Sequence, residues 1–109
     1  MEKHGQALYV VSMNFTGTPE QEREFNAWYN STHVPDVVSM HGFLAGTRYE
    51  AVRQTKRQRK YIAVYEIENE DLMNRAVDGP LHEITKDFTA RYLDLTSDWS
   101  AQRWRRIGP

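Results

Sequence analysis

Ala7 to Phe15 (ALYVVSMNF) is the stretch that most narrows what this chain can become. It is dense in β-branched and aromatic residues and is closed by Thr16, Gly17 and Thr18, which predicts a strand ending in a turn. One face of that strand carries Tyr9, Val11, Met13 and Phe15. The other carries Leu8 and Val10 before turning polar at Ser12 and Asn14. Tyr61 to Glu68 (YIAVYEIE) repeats the pattern, with Tyr61, Ala63, Tyr65 and Ile67 on one side and Ile62 and Val64 on the other. Neither strand has a plainly solvated face, so the sheet they build needs cover on both sides.

The segments between supply cover for one side. Thr18-Pro19-Glu20-Gln21 joins a capping residue, a proline at the first helical position and a glutamine three residues after the cap, which predicts a helix start. Phe25, Trp28 and Tyr29 form its apolar stripe, and one further turn reaches Thr32 and His33. Pro35 is expected to stop or kink this helix near Val34. After Asp36 to Met40, His41-Gly42 turns the chain into a strand from Phe43 to about Arg53. The polar, basic Gln54 to Lys60 reads as an exposed hairpin loop before Tyr61. Asn69 caps a short helix through Val77, Asp78-Gly79-Pro80 interrupts it, and a second stripe runs Leu81, Ile84, Phe88, Tyr92 and Leu95. A last strand is expected from Asp98 to Ile107, carrying Trp99 and Trp104.

The order is β-α-β-β-α-β, the ferredoxin-like pattern of an α+β fold, with two helices on one face of a four-stranded antiparallel sheet. With no repeat, linker or low-complexity segment, residues 1–109 read as a single domain. Two helices cover one face, so the other is expected to pack on a second copy of the same sheet in a homodimer.

Composition removes several function classes. Lys and Arg number 14 against 15 Asp and Glu, a net charge of -1 at pH 7, so the chain lacks the broad basic field of a nucleic-acid binder. There are no cysteines, hence no thiol nucleophile, disulfide or thiolate metal site. No metal-ligand spacing appears: His33 and His41 stand across a proline with no H-x-x-x-H or carboxylate cluster beside them. A Gly-rich phosphate loop is also missing. No apolar run approaches the length of a membrane span, and no signal-peptide core follows Met1 to Gly5, so the expected address is the cytoplasm, with no membrane partner.

Phe25, Trp28-Tyr29, His33, Pro35-Asp36, Gly42-Phe43 and Arg48-Tyr49-Glu50 together resemble the EthD-like branch of the dimeric α+β barrel superfamily, whose pattern runs F-x-x-W-Y-x-x-x-H-x-P-D, then G-F, then R-Y-E. The resemblance implies a ferredoxin-like subunit, a dimer whose sheets form a barrel, and a ligand cleft between helices and sheet. The wider superfamily includes cofactor-free lactone isomerases, polyketide cyclases and haem-degrading or quinone-forming monooxygenases, so the fold does not choose the chemistry.

Within that frame His33 is the leading catalytic candidate, a general acid/base at the end of the first helix, with Asp36 placed to orient or charge it. The alternative is a structural histidine bonding Asp36 or capping the helix. His82, in Gly79-Pro80-Leu81-His82, resembles the segment that supplies a catalytic histidine in the stress-responsive and cyclase branches, although Ala76 stands where the cyclase branch has a tyrosine. Its other reading is a surface histidine. If both act, they should face one pocket. Arg48 would hold a substrate carboxylate or enolate, or bridge to Glu50 or to the partner subunit. Trp28, Tyr29, Tyr65 and Trp104 would line an aromatic pocket or fill the core, and Asn14 would bond a ligand or cap a turn.

Three functions remain in play. One is a cofactor-independent isomerase, lyase or cyclase acting on a small organic substrate through His33. A second is a monooxygenase, cofactor-free or with haem, on an aromatic or apolar substrate. The third is a non-catalytic ligand-binding dimer.

Overall fold

The computed structural model describes residues 5–109; Met1 to His4, where the expectation of no signal peptide begins, lie outside the described residues. Strand β1 is Ala7–Phe15, followed by α1, Pro19–Trp28. A π-helical turn, Tyr29–His33, leads into α2, Val34–Val38. Strands β2, Phe43–Glu50, and β3, Tyr61–Ile67, form the hairpin. Helices α3, Glu70–Val77, and α4, Leu81–Tyr92, then pass through a 3-10 turn, Leu93–Leu95, into β4, Thr96–Arg105. The sheet is antiparallel in the order β2-β3-β1-β4, which is the ferredoxin-like architecture the element order implies.

Local chemistry sets the helix ends. Gln21 N donates to Thr18 Oγ1 at 3.1 Å and Thr18 N to Gln21 Oε1 at 2.9 Å, a reciprocal capping box. Asn69 caps α3 by accepting from Leu72 N at 2.9 Å. Gly42, at φ +89, makes the turn into β2 in a backbone region that costs other residues strain. Gly46 lets α2 lie directly on the sheet, since a Cβ there would meet Val34, Val38 and Tyr65 at 2.9 Å.

Several boundaries differ from expectation. Pro35 does not end the helix. Val34 N donates five residues back to Tyr29 O, and this widened turn relieves the clash between the proline ring and the preceding turn, so the chain continues as α2. The Ser31 hydroxyl serves the Ala27 carbonyl at 2.7 Å within the same widened stretch. Strand β2 stops at Glu50 rather than near Arg53, because ladder pairing with β3 ends at Glu50 opposite Tyr61. Strand β3 ends at Ile67, one residue short of Glu68. The second stripe ends as α-helix at Tyr92, and β4 starts at Thr96 and closes at Arg105, where β1 runs out of partners at Ala7.

One sheet face, with Ala7, Tyr9, Val11, Met13, Tyr61, Ala63, Tyr65 and Ile67, is buried under Phe25, Tyr29, Val37, Met73, Leu81 and Phe88. Phe25 is its centre, with ring contacts to Phe15, Tyr29, Tyr61, Phe88 and Tyr92. The opposite face presents Leu8 beside Trp104 and Val10 beside Val64, with no described element over it. No helix among the described residues is long and apolar enough to cross a membrane.

Candidate functional site

The widened turn places two consecutive layers of side chains against the sheet. Tyr29 at its start and His33 at its end are both buried. His33 is only 8% exposed, stacked on Trp28 at 5.3 Å between ring centres and meeting Tyr29 edge-on at 4.7 Å. A histidine at the end of a helix thus lies inside the core rather than at its edge. The ring lies against α4, where Phe88 is 5.6 Å away.

His33 and Tyr29 line a cavity of about 200 Å³ between helices and sheet, with Tyr9, Val11, Tyr65, Val37, Leu81, Thr85, Phe88, Trp99 and Ala101. Its walls carry no acidic or basic side chain apart from the imidazole. The Tyr65 hydroxyl is buried with no hydrogen-bond partner among the described residues, an uncommon state for a buried polar atom. Tyr29 and Tyr65 influence each other's proton affinity, yet the Tyr65 oxygen has no partner at hydrogen-bonding distance and angle. Burial pushes the Tyr29 phenol up to about 12. It pushes Tyr65 strongly upward too, with the neighbouring Tyr29 phenol adding to the effect. Both stay protonated donors at neutral pH.

Burial has the opposite sign for the imidazole. It lowers the His33 pKa from 6.5 to about 4, against the negative charges of Asp36 and Asp87 and with help from Arg48. His33 is therefore neutral at pH 7. A stability consequence follows with a fixed sign. The unfolded chain takes up a proton near 6.5 that the folded chain resists to about 4, so this contribution is complete above about pH 6.5. It is lost as pH falls through that window and levels off below about pH 4. Its size is about 3 kcal/mol. Urea unfolding at pH 7 and pH 4.5 should show this loss in the native protein and much less of it in His33→Gln; parallel losses in both would refute the assignment.

The other expected site residues divide. Tyr65 joins His33 at the cavity. Trp28 backs the imidazole from outside and is itself covered by Arg91 at 5.5 Å. Asp36 is exposed and acts on His33 by charge alone, with no hydrogen bond to orient the ring. His82 is exposed on α4 and does not line the cavity, because Leu81, Thr85 and Phe88 take the inward phase of that helix and position 82 is turned away. The shared pocket for His33 and His82 is thus not formed. Trp104 belongs to the opposite sheet face beside Leu8.

Arg48 lies behind Tyr29, 4.2 Å from its ring centre, and donates at 3.0 Å to both Asn30 Oδ1 and Asn26 Oδ1. It opens on a separate niche with Tyr49, Glu50 and Tyr61. Asn26 donates on to Tyr61 Oη, and Tyr61 to Glu22, which also pairs with Lys60. Asn14 is consumed structurally: its Oδ1 accepts from Lys60 N at 2.8 Å and Gln54 Nε2 at 3.0 Å, and its Nδ2 donates to Asp98.

Sequence reasoning missed Thr85 and Trp99 as walls. Thr85 was readable, since it stands four residues after Leu81 and three before Phe88 on the same stripe. Trp99 was readable only in part: alternation sets it and Trp104 on opposite faces, but the pairing of Ala101 with Val11 is what puts Trp99 on the cavity side. Among the described residues no group of His and carboxylates is arranged to hold a metal.

Solved structures share this fold. An EthD family protein from Bacillus halodurans matches with a TM-score of 0.67 at 12% identity, over 93% of this chain and 99% of that one. The haem degrader MhuD from Mycobacterium tuberculosis, solved with two haems in its active site, matches with a TM-score of 0.64 at 14% identity, over 94% and 97%. SnoaB, a cofactor-independent oxygenase from Streptomyces nogalater, matches with a TM-score of 0.63 at 16% identity, over 96% of each chain. At such identities the likeness establishes the ferredoxin-like fold, which an EthD family protein shares, and leaves the chemistry open. No curated protein matches the sequence. The family model described as Domain of unknown function (DUF4286) matches residues 6–101, and the chain belongs to that family.

Proposed function

We propose that the protein is a cofactor-independent enzyme that moves a proton on a small, uncharged organic substrate, as an isomerase or lyase, with His33 as the base. The observation that carries this reading is a neutral buried imidazole and an unpaired phenol donor facing one otherwise apolar cavity. An apolar cavity of about 150 Å³ holds benzene, so about 200 Å³ suits a single-ring ligand.

In this reading the imidazole accepts a proton from an activated C–H or O–H of the substrate. The electron pair left behind moves onto a carbonyl oxygen, and the Tyr65 O–H donates a hydrogen bond to that oxygen as its charge grows. The new anion lies beside the imidazolium and raises its proton affinity, which offsets the depression caused by burial. Returning the proton to a different atom gives an isomer; loss of a leaving group gives elimination.

The same electron-rich anion is the kind of species that reacts with O2. A cofactor-free oxygenase is therefore the second reading, supported by the likeness to SnoaB, and oxygen uptake separates the two. Haem does not fit the cavity: a porphyrin exceeds a single-ring volume, and no wall residue supplies a cation for its propionates.

Tyr65→Phe tests the reading. The fold should be as stable as before or more so, because an unpaired buried hydroxyl is removed without changing shape. Deuterium wash-in from D2O into the methyl group of acetophenone and the ring of cyclohexanone, followed by NMR, should slow about 100-fold or more relative to the native protein. If the native protein binds these ketones but exchanges them no faster than buffer, the protein is a ligand carrier and the catalytic reading falls.

The homodimer belongs to the same proposal. The uncovered face centred on Val10, Val64, Leu8 and Trp104 would pack on its copy, burying on the order of 2,000 Å² or more in total.

A further inference from the structure

The open side of the cavity lies between α4 and β4, the edge strand of the sheet: Thr85, Trp99 and Ala101 are its exposed lining residues, whereas Tyr9, Val11, His33 and Tyr65 are buried. Trp99 dominates this mouth. It is 39% exposed and stands edge-on against Phe88 at 4.7 Å, with its indole N–H tied to Thr96 Oγ1 at 2.9 Å.

The backbone immediately before it is irregular and heavily tied down. Asp98, immediately before, is the one non-glycine residue with positive φ among those described, at 56°, and the β1–β4 register shifts between Ser12 and Asn14 alongside it. Trp99 stands on the cavity side by simple alternation with Ala101 and Arg103, which pair with the inward Val11 and Tyr9, and the bulge with Asp98 marks the point at which that phase ends. The hairpin loop then fixes the arrangement. Arg59 Nε donates to the Asp98 carbonyl at 2.9 Å, and Gln54 and Lys60 hold Asn14, whose amide bonds the Asp98 carboxylate at 3.1 Å. Ser97 adds a hydroxyl to the same carboxylate at 2.9 Å.

Strained positions persist where surrounding contacts over-determine them, and they concentrate at ligand sites. We infer that Trp99 is the specificity-determining wall of the cavity, limiting it to single-ring uncharged ligands, and that Asp98 and the hairpin latch exist to hold that wall in place. The inference rests on the cavity being the ligand site, but it does not need the site to be catalytic.

Binding of phenol and of 2-naphthol, both neutral at pH 7, tests it through the chemical shifts of the His33 ring. The native protein should favour phenol, and Trp99→Ala should shift the ratio of the two affinities toward 2-naphthol by about tenfold or more, with Trp99→Phe intermediate. Asp98→Gly, which tolerates positive φ, should keep the native ratio; Asp98→Val, which does not, should move toward that of Trp99→Ala. An unchanged ratio in Trp99→Ala, or no binding of either probe by native protein and variants, overturns the inference. A shifted ratio without any turnover sustains it and removes only the catalytic reading.

Discussion

His33→Gln is expected to lower the rate of proton exchange into a bound ketone by about 100- to 10,000-fold, the usual span for losing a general acid/base. Glutamine keeps a polar, roughly planar end between Trp28 and Tyr29 but has no nitrogen that accepts a proton in this pH range. Alanine would be a poorer choice, because the imidazole is packed on Trp28, Tyr29 and Phe88 and its removal would leave a hole as well as a missing base. Binding of phenol should survive the glutamine change within a few-fold, since the other walls are intact. Exchange rates measured at saturating ketone make the comparison; a variant that exchanges as fast as the native protein would place the base elsewhere.

Val64→Glu is expected to turn a species of about twice 12.8 kDa into a folded monomer. Val64 sits on the central strand β3 of the uncovered face, opposite Val10 on one side and Thr47 on the other. In a lone subunit the glutamate would reach water, so the fold should stand. Between two packed sheets it would bury two uncompensated charges, each costing several kcal/mol. Sedimentation at micromolar concentration reads the result. A native protein that sediments at 12.8 kDa would remove the dimer; a Val64→Glu variant that still dimerises would move the interface to another surface.

The parts of this fold that obey local rules were legible. Thr18, Pro19 and Gln21 announce α1 because all three roles of a helix start lie within one turn, and the alternation in Ala7–Phe15 and Tyr61–Ile67 assigns each side chain to its correct face. Legibility fails where tertiary packing decides between local options. Pro35 carries a stop signal that is real in isolation, but burial of Tyr29 and His33 favours a widened turn that accommodates it. His82 was singled out by a short resemblance, whereas the phase set by Leu81, Thr85 and Phe88 turns it to solvent. The tryptophans on the last strand, five residues apart, take opposite faces by plain alternation, Trp104 the open side and Trp99 the cavity side, but only the pairing with β1 decides which of them faces the helices. Asn14 looked like a free polar group only because its partners, Gln54, Lys60 and Asp98, are distant in sequence.

The widened turn at Tyr29–His33 amounts to one residue more than a regular helix would use over the same span. Each residue turns an α-helix by about 100°, so the whole site hangs on a single inserted position. Losing one residue from the turn would restore an ordinary ladder over the same span and leave Val37, packed in the core, in phase with the sheet, while the side chains within the turn would project in different directions. A histidine at position 33 in a relative without the extra residue would therefore not occupy the same place in space. Sequence alignments across such proteins should treat this as a discrete gain or loss, with the presence of the turn rather than of the histidine marking which members could share this cavity.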